Sequence, residues 1–244
     1  SMSSNSNSVA IGFYNDSQTV LSGNTIEAAG DTGLSARSGA VVDLNGGNTL
    51  TAGTWISLTG DGGRLTASNN RFEVASSMPE TVELRGPSPG SELEFHDNVF
   101  EWHGSGGLTV EGGGNVTLSR NTFYGFGNTG TAVSLLHSPG HPAADVRIEN
   151  NQFTSFENAL NIRLAGALGA EYAAALNNNV FDFPMTVAPQ AARVSYSHDS
   201  NTSLDATNNA WHVFTTAAEV EALIGYNQST AVLTVDPVAP PMAP

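Results

Sequence analysis

Residues 146–153 read Val-Arg-Ile-Glu-Asn-Asn-Gln-Phe. Val146 and Ile148 alternate with Arg147 and Glu149, which is the period-two pattern of a strand with one buried face. Phe153 stands two residues after Asn151, and the apolar parity changes across that step. A bend is therefore expected at the Asn, a residue that tolerates the left-handed conformation and bonds to nearby backbone. The same unit recurs as Asn24/Ile26, Asn48/Leu50, Asn70/Phe72, Asn98/Phe100, Asn121/Phe123, Asn179/Phe181 and Asn209/Trp211. Successive Asn positions lie 24, 22, 28, 23, 30, 28 and 30 residues apart. Spacings in the range of about 20–50 residues mark a stacked-repeat architecture, which works through a long lateral surface.

Alignment on the Asn sharpens this. The column five residues before it holds Thr19, Asp43, Leu65, Leu93, Val116, Val146, Ala174 and Leu204; the column three before holds Leu21, Asn45, Ala67, Phe95, Leu118, Ile148, Leu176 and Ala206. Both are mostly apolar, and the positions between them are mostly polar. One such strand per repeat predicts parallel strands stacked about 4.8 Å apart. The expected fold is all-β, a parallel β-helix solenoid of about eight rungs, with the Asn amides forming a ladder. Asp43 and Asn45 fall in inward columns, so the first two rungs are expected to be irregular. That irregularity, and the lack of a recognisable N-terminal cap, favour coils upstream of this sequence.

The chain has 244 residues and a formal charge of −15, and all eight basic residues are Arg. Such a balance argues against nucleic acid and against an anionic membrane surface, since both need a basic footprint. Apolar residues make up 39% and charged residues 13%, with 26 Gly, which suits many turns and few helices. The absence of Cys excludes disulfides, thiolate metal sites and a thiol nucleophile. No apolar run reaches transmembrane length. Residues 1–8 read as a cloning remnant and flexible lead-in, residues 9–236 as a single domain. Thr216-Ala-Ala-Glu219 fits a capping box and predicts a short C-terminal helix over 217–224 that closes the rod. Residues 237–244, rich in Pro, read as the start of a linker to flanking domains of the same chain.

The units Asn69-Asn70-Arg71-Phe72, Asn150-Asn151-Gln152-Phe153 and Asn178-Asn179-Val180-Phe181 resemble those of right-handed parallel β-helix repeat proteins, the pectate-lyase-like superfamily. Asn208-Asn209-Ala210-Trp211 is similar to the Asn-Asn-Trp-Trp-Gly unit of many secreted members, with Ala210 and His212 departing from it. The resemblance implies a fold and leaves the activity open. The residue strings that mark calcium-dependent pectate lyases, polygalacturonase-like hydrolases and mannuronan epimerases do not occur here, and a Lys-dependent mechanism is excluded.

Two outward clusters are candidates for chemistry. Glu94 and His96 share columns with Arg147 and Glu149 two rungs on, and Asp97, Glu83 and Arg85 are expected nearby. An Arg base beside carboxylates suits β-elimination on a uronic acid, whereas the plainer reading is cross-rung salt bridges. The second cluster is Glu73 and Glu101, one rung apart, with Trp102, His103, Tyr124 and Phe126 close by. Carboxylates beside aromatic rings suit a glycan, and a carboxylate pair suits Ca²⁺ unless an Arg intervenes. The longer repeats are expected to hold inserted loops at about 74–92, 125–145 and 155–173, in which Met78-Pro79, residues 87–90 and residues 137–142 read as turns; His137 and His141 in the last of these turns form a weaker candidate metal pair. The expected function is a noncatalytic stalk or adhesive module of a larger bacterial protein, extracellular or on the cell surface, holding a polysaccharide or cell-surface glycan along its flank. A polysaccharide lyase or hydrolase with a divergent site and a phage tailspike fragment are the alternatives.

Overall fold

The computed structural model describes residues 2–4, 8–28, 31–37, 40–52, 55–61, 64–74, 82–86, 92–104, 107–112, 115–137, 145–164, 172–182, 194–198, 202–211, 214–226, 231–236 and 238–240. Among these, nearly all regular structure is strand; the helix is Ala217–Glu221. The strands pair in parallel and form three faces that the chain visits in turn. One coil shows the order. Glu92–His96 lies on the first face, Val99–Trp102 on the second and Leu108–Gly112 on the third. Asn115–Ser119 then returns to the first face and pairs in register with Glu92–His96.

The first face is a nine-stranded sheet running from Gln18–Leu21 to Ala231–Thr234. The second and third faces form one 16-stranded hydrogen-bonded sheet. They are continuous because Thr122–His137 and Gln152–Leu164 run from one face to the other. The sequence pattern pointed to one strand per repeat, and there are three. The segments 74–92, 125–145 and 155–173, expected to be inserted loops, contain the strand Val82–Gly86 and the far halves of the two long strands. Third-face strands such as Trp55–Asp61 carry Gly, Ser and Thr and keep no fixed distance from the Asn, so alignment on the Asn scatters them. Met78-Pro79, the turn at 87–90 and His141 lie outside the described residues.

Each first- and second-face strand turns alternate side chains inward. Leu93, Phe95, Phe100 and Trp102 are buried in one coil, as are Leu118 and Phe123 in the next. Along the second face Phe72, Phe100, Phe123, Phe153, Phe181 and Trp211 form a continuous stack, with centroids 4.3–5.1 Å apart from ring to ring. This returning ring is what the recurring Asn-x-Phe unit encodes.

The ladder forms as expected and is denser than side chain to side chain alone. Asn98 Nδ2 donates to Asn121 Oδ1 at 3.0 Å, and the Asn98 backbone N–H donates to the same oxygen at 3.0 Å. Asn98 Nδ2 also donates to the Ala67 carbonyl at 2.8 Å. The pattern repeats from Asn24 to Asn209. Buried Asn is tolerated here because its amide is satisfied on both sides. The left-handed residue is the one before each ladder Asn: Asn69, Asp97, Arg120, Asn150, Asn178 and Asn208 have φ of 55–58°. Gly23, Gly46 and Gly47 do the same work in the first two turns, with φ of 66–70°.

Gly46 and Gly47 correct the reading of the early rungs. Leu44, not Asn45, pairs with Ala67, and Val42, not Asp43, pairs with Leu65. Val42 and Leu44 are buried, while Asn45 is exposed. The turn Gly46-Gly47 is one residue longer than its counterparts, so alignment on Asn48 shifts that strand by one and exchanges its faces. The apparent irregularity is a single-residue insertion. Within the expected lead-in, Met2–Ser4 pairs with Thr25–Ala28, and Ser8, its last residue, opens the strand Ser8–Phe13 that pairs with Asp31–Arg37.

The helix ends at Glu221, and Ile224–Tyr226 is already a third-face strand on Val194–His198, so it is shorter than the spacing of Val220, Leu223 and Ile224 suggested. Thr216 accepts from the Glu219 N–H, and the Glu219 carboxylate accepts from the Thr215 and Thr216 N–H groups. These bonds, with the Thr216 hydroxyl, hold the Glu219 carboxyl below its ordinary range. A depressed carboxyl stabilises the fold above its unfolded pKa and loses that contribution as pH falls through its folded value. Amide protection at Val220 and Ala222 is therefore expected to weaken as pH drops below about 4, and Glu219→Gln, which removes the titrating carboxyl, should abolish that pH dependence, as read by hydrogen exchange. Farther on, Ala239 N–H donates to the Asn209 carbonyl, as Ala210 N–H does to Asn179, and Val238 packs on the core. The start of the expected linker thus continues the stack by one step.

Candidate functional site

The second face presents two outward columns. One runs Thr49, Arg71, Val99, Thr122, Gln152; the other runs Thr51, Glu73, Glu101, Tyr124, Thr154, Asp182. Glu73 and Glu101 are direct neighbours in register, as the spacing predicted. Like charges so placed repel. Arg71 resolves the conflict: its Nη2 lies 3.3 Å from Glu73 Oε2 and also contacts Glu101 Oε2. Arg71 is the middle residue of an Asn-x-Phe unit and stands two residues before Glu73, so period two places it on the same side. That signal was available in the sequence.

The aromatic residues divide. Trp102, expected at the surface, is fully buried, stacked on Phe100 and edge-on to Phe156. It alternates inward with Phe100, so it belongs to the core, and its ring offers nothing to a ligand. Its indole N–H has no acceptor among the described residues, and ring packing must offset the about 1–3 kcal/mol that an unmet donor costs. His103, Tyr124 and Phe126 are exposed. His103 stacks on Phe126 at 4.5 Å with planes 7° apart, and Tyr124 lies 5.3 Å from Phe126. His103 Nε2 is 3.4 Å from Glu73 Oε1. The site is thus Arg71, Glu73, Glu101, His103, Tyr124 and Phe126.

A register shift produces the exposed ring. Tyr124 pairs with Thr154 and Asn128 with Phe156, so three residues on one strand oppose one on the next. Such a bulge re-aims side chains. Here it turns Gly125 inward and Phe126 out, leaving the latter 52% exposed. The chain crosses tightly just beyond: a Cβ on Gly107 would lie 1.8 Å from the Thr131 carbonyl oxygen, so only glycine fits.

The first-face cluster is arranged differently. Glu94 and Arg147 do share a column, as do His96 and Glu149, but Thr117 and Ser119 stand between them. Arg147 lies 3.9 Å from Asp145, and Glu94 binds Arg64 at 2.8 Å. His96 Nδ1 shares a hydrogen bond with Ser119 Oγ. The hydrogen bond and charge of Glu94 raise the pKa of Arg64 above its ordinary value. Asp97 pairs with Arg120 through two bonds of 2.8 Å, and the Arg120 guanidinium lowers the Asp97 carboxyl below its usual range. Arg64–Glu94 and Arg120–Asp97 are exposed cross-rung pairs, each contributing little. Glu83 and Arg85 lie in the strand Val82–Gly86.

The Arg71 guanidinium bridges Glu73 and Glu101, and among the described residues no three His, Asp or Glu side chains gather closely enough to hold a metal ion. No helix among the described residues is long and apolar enough to cross a membrane. No family model, curated protein or solved structure matches the chain.

Proposed function

We propose that this chain is a right-handed parallel β-helix segment of the pectate-lyase-like kind, about eight rungs long, that serves as a rigid stalk or adhesive module of a larger secreted or cell-surface bacterial protein. Right-handed crossovers are favoured because parallel strands connect that way in about 98% of cases. The module binds glycan along its second face. The observation that carries this reading is the exposed shelf of His103, Tyr124 and Phe126 beside the Arg71, Glu73 and Glu101 group. Exposed rings pack against sugar faces while the neighbouring carboxylates and guanidinium accept and donate hydrogen bonds to hydroxyls. A rigid sheet holds these groups in place without loop ordering, which favours binding.

A glycan array followed by titration of the captured sugars tests the proposal. Phe126→Ala is expected to weaken binding about tenfold, roughly 1.4 kcal/mol, with the far-UV spectrum unchanged because Phe126 lies outside the core. Capture of no sugar by the intact chain would remove the binding function, and release of new unsaturated or reducing ends would remove the noncatalytic part.

A further inference from the structure

The charge pattern around the shelf selects among glycans, an inference that rests on the glycan-binding reading above. The outward column Glu27, Thr51, Glu73, Glu101, Tyr124, Thr154, Asp182 holds four carboxylates and no basic residue. The adjoining column Thr25, Thr49, Arg71, Val99, Thr122, Gln152, Val180 holds one basic residue, Arg71. Arg71 Nη2 is shared by Glu73 Oε2 and Glu101 Oε2, so one cation faces two carboxylates and the group keeps a net negative charge. The second oxygen of Glu73 is turned the other way. It faces His103, the ring stacked on Phe126.

A carboxylate oxygen at the edge of an aromatic shelf suits a ligand whose apolar face and positive charge lie side by side. A cation held against an aromatic face is itself favoured. A polyanionic glycan meets the opposite situation, repelled by this column and by the overall charge of −15. We propose that the second face binds a polysaccharide of free amino sugars, with pyranose rings on His103, Tyr124 and Phe126 and an ammonium group on Glu73. Glu73 and Glu101, the column's one carboxylate pair on adjacent rungs, lie about 4.8 Å apart along the rod.

The test is titration of the intact chain with deacetylated glucosamine oligomers, their N-acetylated counterparts, oligogalacturonate and polylysine. The deacetylated oligomer is expected to bind at least about tenfold tighter than the acetylated one, and oligogalacturonate least of all. Salt of about 1 M should shrink that ratio. Glu73→Gln should bring it close to one, whereas Glu221→Gln, the same charge change on the exposed side of the C-terminal helix, should leave it intact. Equal affinity for the two glucosamine oligomers, or a ratio insensitive to Glu73→Gln, overturns the amino-sugar assignment and leaves glycan binding standing. Polylysine binding as tightly as the sugar also overturns it, by showing that the face reads charge alone. Failure to bind any sugar overturns both readings together.

Discussion

Asn121→Asp is expected to break the stack in the middle, lowering stability by about 3–5 kcal/mol. Asn121 is 1% exposed, and its amide works in two directions. Its Oδ1 accepts from the backbone N–H and the Nδ2 of Asn98, both at 3.0 Å. Its Nδ2 donates to the Phe95 carbonyl at 2.8 Å and to Asn151 Oδ1 at 3.1 Å. The substitution is nearly isosteric and keeps the accepting oxygen. It replaces the donor by an oxygen that faces two acceptors. Buried there, the new carboxyl loses both bonds and is pushed toward its neutral form. Its folded pKa then exceeds its unfolded one, so the electrostatic part of the deficit is absent below about pH 4 and grows as pH rises. Urea titration at two pH values reads this directly. Because each coil of a solenoid touches only its neighbours, the transition should also broaden as the two halves uncouple. A sharp single transition with an unchanged midpoint would show that the ladder is dispensable.

The second large effect is expected at Phe123, where Phe123→Ala should cost about 3–5 kcal/mol. The ring is fully buried between Phe100 and Phe153, at 4.9 Å from each and within 6° of parallel to both. Removing it takes away two stacked partners at once and leaves a cavity that the flanking sheets cannot close, since rung spacing is fixed by backbone hydrogen bonds. Phe123→Leu keeps most of the volume and should cost less than about 1.5 kcal/mol. The gap between the two variants, measured by denaturant midpoint, isolates filling from stacking.

The parts of the fold that repeat strictly were legible in the chain. The Asn column, the ring column and the alternating strand before them recur with the same chemistry because each must match its copy one coil away. The third face was not legible, since its strands need only parallel pairing and tolerate Gly, Ser and Thr. The shift at Val42 and Leu44 was hidden because Gly46-Gly47 restores the ladder position after slipping the strand. At the candidate site, the adjacency of Glu73, Glu101 and Tyr124 in one column was legible from register alone. Trp102 was misjudged because an aromatic beyond Phe100 was read as outward, although alternation from Phe100 returns it to the core. Phe126 drew notice only as a neighbour, since its exposure depends on a bulge that appears only when Tyr124–Asn128 is paired with Thr154–Phe156.

From Asn24 to Asn179 each ladder amide donates to the side-chain oxygen of the next higher-numbered Asn, and from Asn48 to Asn209 each side-chain oxygen accepts from the lower-numbered one. The rod therefore has a direction, with amide dipoles of about 3.5 D each aligned along its axis. Asn209 breaks the series by turning its Nδ2 to the Ala206 carbonyl at 2.7 Å. A coil added beyond one end must bring an oxygen, and a coil added beyond the other must bring an N–H. Two such rods can extend one another's ladder only head to tail, because head to head would set donor against donor or oxygen against oxygen.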